Sequence, residues 1–256
     1  MKEQILTSLY HIQKEKAVQI LFAVESGSRA WGFASPDSDW DVRFVYARPI
    51  RDYVRLKLIP DHLDYQDKEN DIDCTGWDIR KALSLLLNGN HAIREWIRSP
   101  IVYVNFEDSI AKFSAIAERT HVKTRLMYSY RHILIKCIRD YLDLATEQVN
   151  LKKYFYGIRS TLVMKWLESN EGFVPPIELH QLLTEVDISN EVLQEIEHLL
   201  ELKQKSSELG LGARLKAVDE MLFEYSGKLG ENADPKHSQV LLDQVDELVY
   251  TITKRA

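Results

Sequence analysis

Gly27-Ser28-Arg29-Ala30-Trp31-Gly32-Phe33-Ala34-Ser35-Pro36-Asp37-Ser38-Asp39-Trp40-Asp41 is the stretch on which the reading of this chain turns. A Gly-Ser turn opening a short helix exposes backbone N–H groups and a hydroxyl, and the helix dipole there favours anions such as phosphate oxygens. Arg29 adds a positive fork suited to the same oxygens. Further on, Asp39 and Asp41 stand at i and i+2 of an alternating run, where two carboxylates point the same way, roughly 7 Å apart along the backbone. Such a pair suits two Mg²⁺ ions serving the attacking and leaving oxygens of a phosphoryl displacement.

Before this stretch, Ala17 to Val24 is an almost continuous apolar run, short for a helix and suited to a strand covered on both faces. Lys2 to Glu15 repeats Ile5, Leu9 and Ile12 on one helical side. After it, Asp39 to Tyr46 alternates: Trp40, Val42, Phe44 and Tyr46 share one face, and Asp39, Asp41, Arg43 and Val45 the other. Arg43 therefore stands beside the aspartates, either paired with them or facing phosphate. Leu63 to Gln66 and Asp71 to Thr75 read as two further strands. A third carboxylate is expected on the latter: Asp73 first, Asp71 as runner-up, placed to help take the proton from an attacking hydroxyl. Asp78 reads as the N-cap of a helix whose apolar stripe is Ile79, Ala82, Leu83, Leu86 and Leu87, stopped at Asn88-Gly89-Asn90.

From about residue 110 the periodicity is helical throughout, over 109–118, 123–149, 151–169, 178–184, 189–207, 214–226 and 236–254. The expected architecture is α+β: a domain over 1–110 with a mixed β-sheet, then an all-α helical domain over 111–256. In the helix 151–169, Lys152, Tyr156 and Arg159 fall at i, i+4 and i+7 and predict one polar stripe able to close over a nucleotide, with Lys153 as the alternative lysine. Tyr154, Phe155, Ile158, Leu162 and Trp166 occupy the remaining circumference and are expected to bury. Gly210 to Gly212 lacks the lysine of a phosphate-binding loop and reads as a helix break.

Composition narrows the function classes. In 256 residues the net charge is −6, which argues against a surface built to coat nucleic acid nonspecifically. Two cysteines, Cys74 and Cys137, support neither a disulfide framework nor a zinc site. No pair of the eight histidines has HxxxH or HExxH spacing. No apolar run reaches the roughly 20 residues of a membrane span, and Met1 to Lys16 is charged throughout, so a cytoplasmic protein is expected.

Gly27-Ser28 followed by Ser38-Asp39-Trp40-Asp41 resembles the signature of the DNA polymerase β-like nucleotidyltransferase superfamily. The runs SGSRAWGFASPDSDWDVRF, DCTGWDIRKALSLLLNGN, EWIRSPIVY and KKYFYGIRSTL together resemble bacterial nucleotidyltransferases of the YcgL type, related to a group associated with RNA repair. The resemblance extends from about residue 20 to 170. It implies a polymerase β-like fold with Gly27 and Ser28 on the triphosphate, Asp39 and Asp41 on metal, and Asp73 as third acid. Asn90-His91 departs from the Asn-Pro frequent in that family, within a capping turn that leaves the acids untouched.

The expected enzyme is a Mg²⁺-dependent nucleotidyltransferase with a two-metal site at Asp39, Asp41 and Asp73. Gly27, Ser28, Arg29, Lys152, Tyr156 and Arg159 would bind the NTP. The acceptor stays open between an RNA end and another hydroxyl, including that of a protein (AMPylation). A nucleotide-binding regulatory module without turnover is the alternative.

Overall fold

The computed structural model describes residues 1–36, 38–142, 146–170, 174–205, 209–228 and 233–256. Asp37 of the opening stretch and the expected helical course at 143–145 and 206–207 lie outside the described residues.

The chain divides into two compact units. The first comprises 1–30, 39–121 and 235–256, and the second 31–38 and 122–234. Composition suggests a single cut at 110/111, whereas both units are discontinuous in sequence. Packing explains part of this: Phe113 sets its ring edge-on to Phe22, centroids 5.3 Å apart, so the helix at 109–118 completes the core of the first unit.

The first unit opens with α1 (Lys2–Lys16), β1 (Gln19–Glu25) and the single turn α2 (Gly27–Ala30), followed by β2 (Trp40–Ala47) and α3 (Ile50–Tyr53). The chain then forms β3 (His62–Asp67), β4 (Ile72–Asp78), α4 (Ile79–Leu87), α5 (His91–Trp96), β5 (Val102–Asn105) and α6 (Ser109–Glu118). The strands form one mixed sheet in the order β3-β4-β2-β1-β5. Only β2 and β4 run parallel among the described pairs, in unbroken register from Trp40↔Ile72 to Tyr46↔Asp78. Of the apolar run at 17–24, Ala17 caps α1 and residues 19–24 fall in β1, which is buried along nearly its whole length as a strand covered on both faces must be. Ile5, Leu9 and Ile12 of α1 pack with Val42, Phe44, Tyr46 and Cys74. Asp78 caps α4, its carboxylate accepting from the Arg80 amide at 2.9 Å. The strand β5 carries no clear alternation and escapes sequence reading.

The second unit is helical: α7 (Lys123–Tyr141), α8 (Leu151–Ser169), α9 (Leu179–Glu185), α10 (Asn190–Lys205) and α11 (Lys216–Gly227). Two short strands, β6 (Gln148–Asn150) and β7 (Leu211–Ala213), pair antiparallel. The expected helix over 123–149 therefore stops at Tyr141, and the glycine pair at 210–212 lies between α10 and α11, with Gly210 just before β7 and Gly212 within it. A side chain at Gly212 would meet Leu151, which accounts for a glycine at that pairing. Segment 31–38 belongs here because Phe33 stacks on Phe155 at 4.3 Å and the buried Lys203 ammonium donates to Ser35 Oγ at 2.8 Å. The C-terminal α12 (Gln239–Arg255) returns to the first unit. Cys74 and Cys137 are both free and buried. No described helix is long and apolar enough to cross a membrane.

Candidate active site

The acids meet because β2 and β4 are neighbours in parallel register. Asp41 lies directly opposite Asp73, and both are half-buried. Alternation along β2 puts Arg43 on the same face, where its guanidinium reaches both carboxylates. Nη2 lies 3.0 Å from Asp41 Oδ1 and Nη1 lies 2.8 Å from Asp73 Oδ2. Nη1 also donates to the carbonyls of Val42 and Asp73, each at 3.1 Å. Of the two readings open for Arg43, the structure shows pairing with the acids.

Asp39 stands exposed one residue before β2. Asp41 and Asp73 are thus brought together on the sheet, while Asp39 sits at its margin. Burial raises the Asp41 carboxyl above the usual carboxylate range. Arg43 opposes that rise, and the charges of Asp73 and Asp39 add to it. Asp71 is exposed, lies outside β4 and has φ of 52°, its carbonyl accepting the Trp40 amide at 3.0 Å. The in-register acid is Asp73.

Gly27 begins α2 with φ of +60° and packs against the Asp41 carboxylate. The Ser26 amide donates to the Asp41 carbonyl at 2.8 Å, which ties the Gly-Ser turn to the acid-bearing strand. Ser28 is half-buried in the same turn. Arg29 lays its guanidinium over the Trp40 ring, 3.7 Å from the centroid, and donates from Nε to the Asp39 carbonyl at 3.2 Å.

A fourth acid, missed in the sequence, underpins the site. Glu25 is fully buried (0% exposed) at the end of β1. Its Oε1 accepts the Asp41 amide at 2.9 Å, and its Oε2 accepts the Tyr103 hydroxyl at 2.5 Å. Burial pushes the Glu25 carboxyl upward, against the hydrogen bonds from Tyr103 and Asp41. The available signal was an acid closing an otherwise apolar strand, but its partner Tyr103 lies on the unrecognised β5.

The remaining candidates lie on α8 of the helical unit. Lys152 and Tyr156 are exposed and Lys153 half-buried; Tyr154, Phe155, Ile158, Leu162 and Trp166 are buried, as their spacing suggests. Arg159 breaks the expected stripe. It is 3% exposed, donates from Nε to the Ile177 carbonyl at 3.2 Å, and faces the Trp31 ring at 4.1 Å.

Among the described residues no three His, Cys, Asp or Glu side chains form a ready-made metal cage. Asp41 and Asp73 do offer hard oxygen donors side by side with Asp39 at their edge. That donor set fits Mg²⁺, which takes few protein carboxylates and completes its shell with water and phosphate oxygens.

A family model described as the RNA repair pathway DNA polymerase beta family matches residues 1–250. The chain is 34% identical over 222 residues to an uncharacterized protein, YcgL, from Bacillus subtilis strain 168, covering 87% of this chain and 84% of that relative. A solved nucleotidyltransferase-like protein from Exiguobacterium sibiricum 255-15 is 13% identical, covering 85% of this chain and 75% of its own, with a TM-score of 0.34.

Proposed function

This chain belongs to the RNA repair pathway DNA polymerase beta family and is a nucleotidyltransferase of the polymerase β type, and from that premise we propose that it uses Mg²⁺ to transfer a nucleoside monophosphate from an NTP to a hydroxyl, with release of pyrophosphate. The observation that carries the reading is the in-register placement of Asp41 and Asp73 beside the Gly27-Ser28 turn.

Asp39, Asp41 and Asp73 would hold the divalent ions, which when bound neutralise charge developing on the phosphoryl oxygens. Asp73 would also accept the proton of the acceptor hydroxyl. Gly27 and Ser28 offer backbone amides and a hydroxyl to the β- and γ-phosphates, and Arg29, flattened on Trp40, offers donors beside them. Glu25 holds the Asp41 backbone in place by its amide. Lys152 and Tyr156 are proposed to contact nucleotide. Arg159, buried against Trp31, would act by holding that ring. The proposed acceptor is an RNA end or a protein hydroxyl. Catalysis of this kind is positioning and charge neutralisation, so the loss of one metal-binding carboxylate costs orders of magnitude in rate.

The test incubates wild-type protein and Asp41→Asn with each α-labelled NTP, Mg²⁺ and cell extract, and follows label transfer and pyrophosphate. The expected result is transfer by the wild type onto a definite class of molecule and a loss of at least about 100-fold in the variant. Near-normal transfer by Asp41→Asn would refute the assignment. Nucleotide binding without pyrophosphate under every acceptor condition would favour a regulatory module instead.

A further inference from the structure

The first unit carries a recess at the end of the sheet away from the acids. Asp41 lies near the N-terminal ends of the parallel pair β2 and β4. Arg48 follows the C-terminal end of β2, seven residues of extended chain further on, or roughly 20 Å. There a cavity of about 1000 Å³ is lined by the segment after β2, by α4 along its length and by one face of α12. That volume accommodates a small organic ligand.

The guanidinium of Arg48 marks the recess as more than a packing gap. Arg48 is 9% exposed, yet its Nε is buried with no hydrogen-bond partner. Its charge rests near the Tyr46 ring, 5.3 Å from the centroid, and its backbone amide donates to the Tyr53 hydroxyl at 3.0 Å. Asp78 is the acid whose charge Arg48 acts on, but no carboxylate oxygen reaches the Arg48 Nε. Asp78 accepts the Tyr53 hydroxyl at 2.8 Å and the Arg80 amide at 2.9 Å. Asp61 pairs with Lys81 at 2.8 Å. Asp52 Oδ1 lies 2.7 Å from Arg55, close enough for an ion pair though off the hydrogen-bond line. Asp246 is exposed at the rim. A buried arginine with an open donor is satisfied by an anion that offers planar oxygens, such as a phosphate or carboxylate. The rest of the lining is largely apolar, from Leu58, Ile59, Leu83, Leu87, Val245 and Val249, with His62 and Tyr250 as flat faces. Such walls suit a flat apolar body.

We propose that this recess is a second small-molecule site, separate from the catalytic acids, which binds a flat aromatic molecule carrying one phosphate or carboxylate group with that group on Arg48. A bare anion lacks the body that the apolar walls would cover, and a neutral aromatic leaves the Arg48 Nε without a partner. Both should therefore bind more weakly than the combined molecule.

The experiment is titration calorimetry on the full chain in EDTA, with AMP, adenosine, benzoate and inorganic phosphate as probes. AMP or benzoate is expected to bind at least tenfold more tightly than adenosine and phosphate, equally well to wild type and Asp41→Asn. Arg48→Met is expected to weaken that binding at least tenfold. Because loss of a buried arginine can unfold the chain, Ser84→Trp, which fills the mouth of the recess from the exposed side of α4, is run in parallel and should weaken the same probe. Thermal melting identifies which variants are folded. The proposal fails if neither AMP nor benzoate binds at millimolar concentration, if binding is lost in Asp41→Asn, or if folded Arg48→Met or Ser84→Trp binds as the wild type does.

Discussion

A Cβ built on Gly27 would stand 2.2 Å from Oδ2 of Asp41, so the turn before β2 packs its glycine directly against the carboxylate of the central acid. The same residue has φ of +60°, a conformation that side chains with a Cβ rarely adopt. Two requirements thus fall on one position: a left-handed backbone and no atom beyond Cα. Gly27→Ala should lower stability by about 1–3 kcal/mol from backbone strain and displace the Asp41 carboxylate. Nucleotidyl transfer should fall by more than the loss of folded protein accounts for. A variant whose transfer rate per folded molecule matches the wild type would show that the close approach has no bearing on the chemistry.

Arg43 spans Asp41 and Asp73, with side-chain exposures of 20%, 33% and 36%. At that exposure solvent screens the pairs, so each contributes no more than about 1 kcal/mol. Arg43→Gln leaves two neighbouring carboxylates without their shared cation. The metal-free variant should melt a few degrees below the wild type, and Mg²⁺ should raise its melting temperature by more than it raises that of the wild type. Equal Mg²⁺ shifts in a thermal melt of the two proteins would contradict this coupling.

Gly76 lies across β2 and β4 from Phe44, and a Cβ there would come within 2.1 Å of the phenyl ring. Both residues are buried. Gly76→Ala should therefore overpack the sheet and cost about 1–3 kcal/mol in urea denaturation. Phe44→Leu opens space at the same point, so the double substitution should be less damaging than the sum of the two. Strict additivity in that cycle would exclude a direct clash.

Burial pushes the Asp78 carboxyl above the ordinary aspartate range, despite hydrogen bonds from Tyr53 and the Arg80 amide. The unfolded chain therefore gives up this proton more readily than the folded one. The associated stability is fully present below the ordinary value near 3.8 and is lost as pH rises through the raised folded value. Asp78→Asn keeps an oxygen to cap α4 and carries no charge. Its stability relative to the wild type should rise with pH from about 4 upward, measured as urea midpoints, because the other raised carboxyls are common to both proteins. A flat or falling difference would refute the direction of the shift.

Local pattern made much of this protein legible from its sequence. Alternation in 39–46 places Asp41 and Arg43 on one face, and helical spacing in 151–169 separates Phe155 and Ile158 from the exposed Lys152 and Tyr156. These are properties of neighbours along the chain, which follow from the 2.0 and 3.6 residue periods of the backbone itself. Tertiary structure alone decided that β4 pairs in parallel with β2 so that Asp73 faces Asp41. It also decided that Arg43 bridges them, that Glu25 meets Tyr103 on β5, and that Arg159 turns inward to Trp31. Register and burial depend on which distant segments bury which surfaces together, and no window of sequence contains both partners of such a contact.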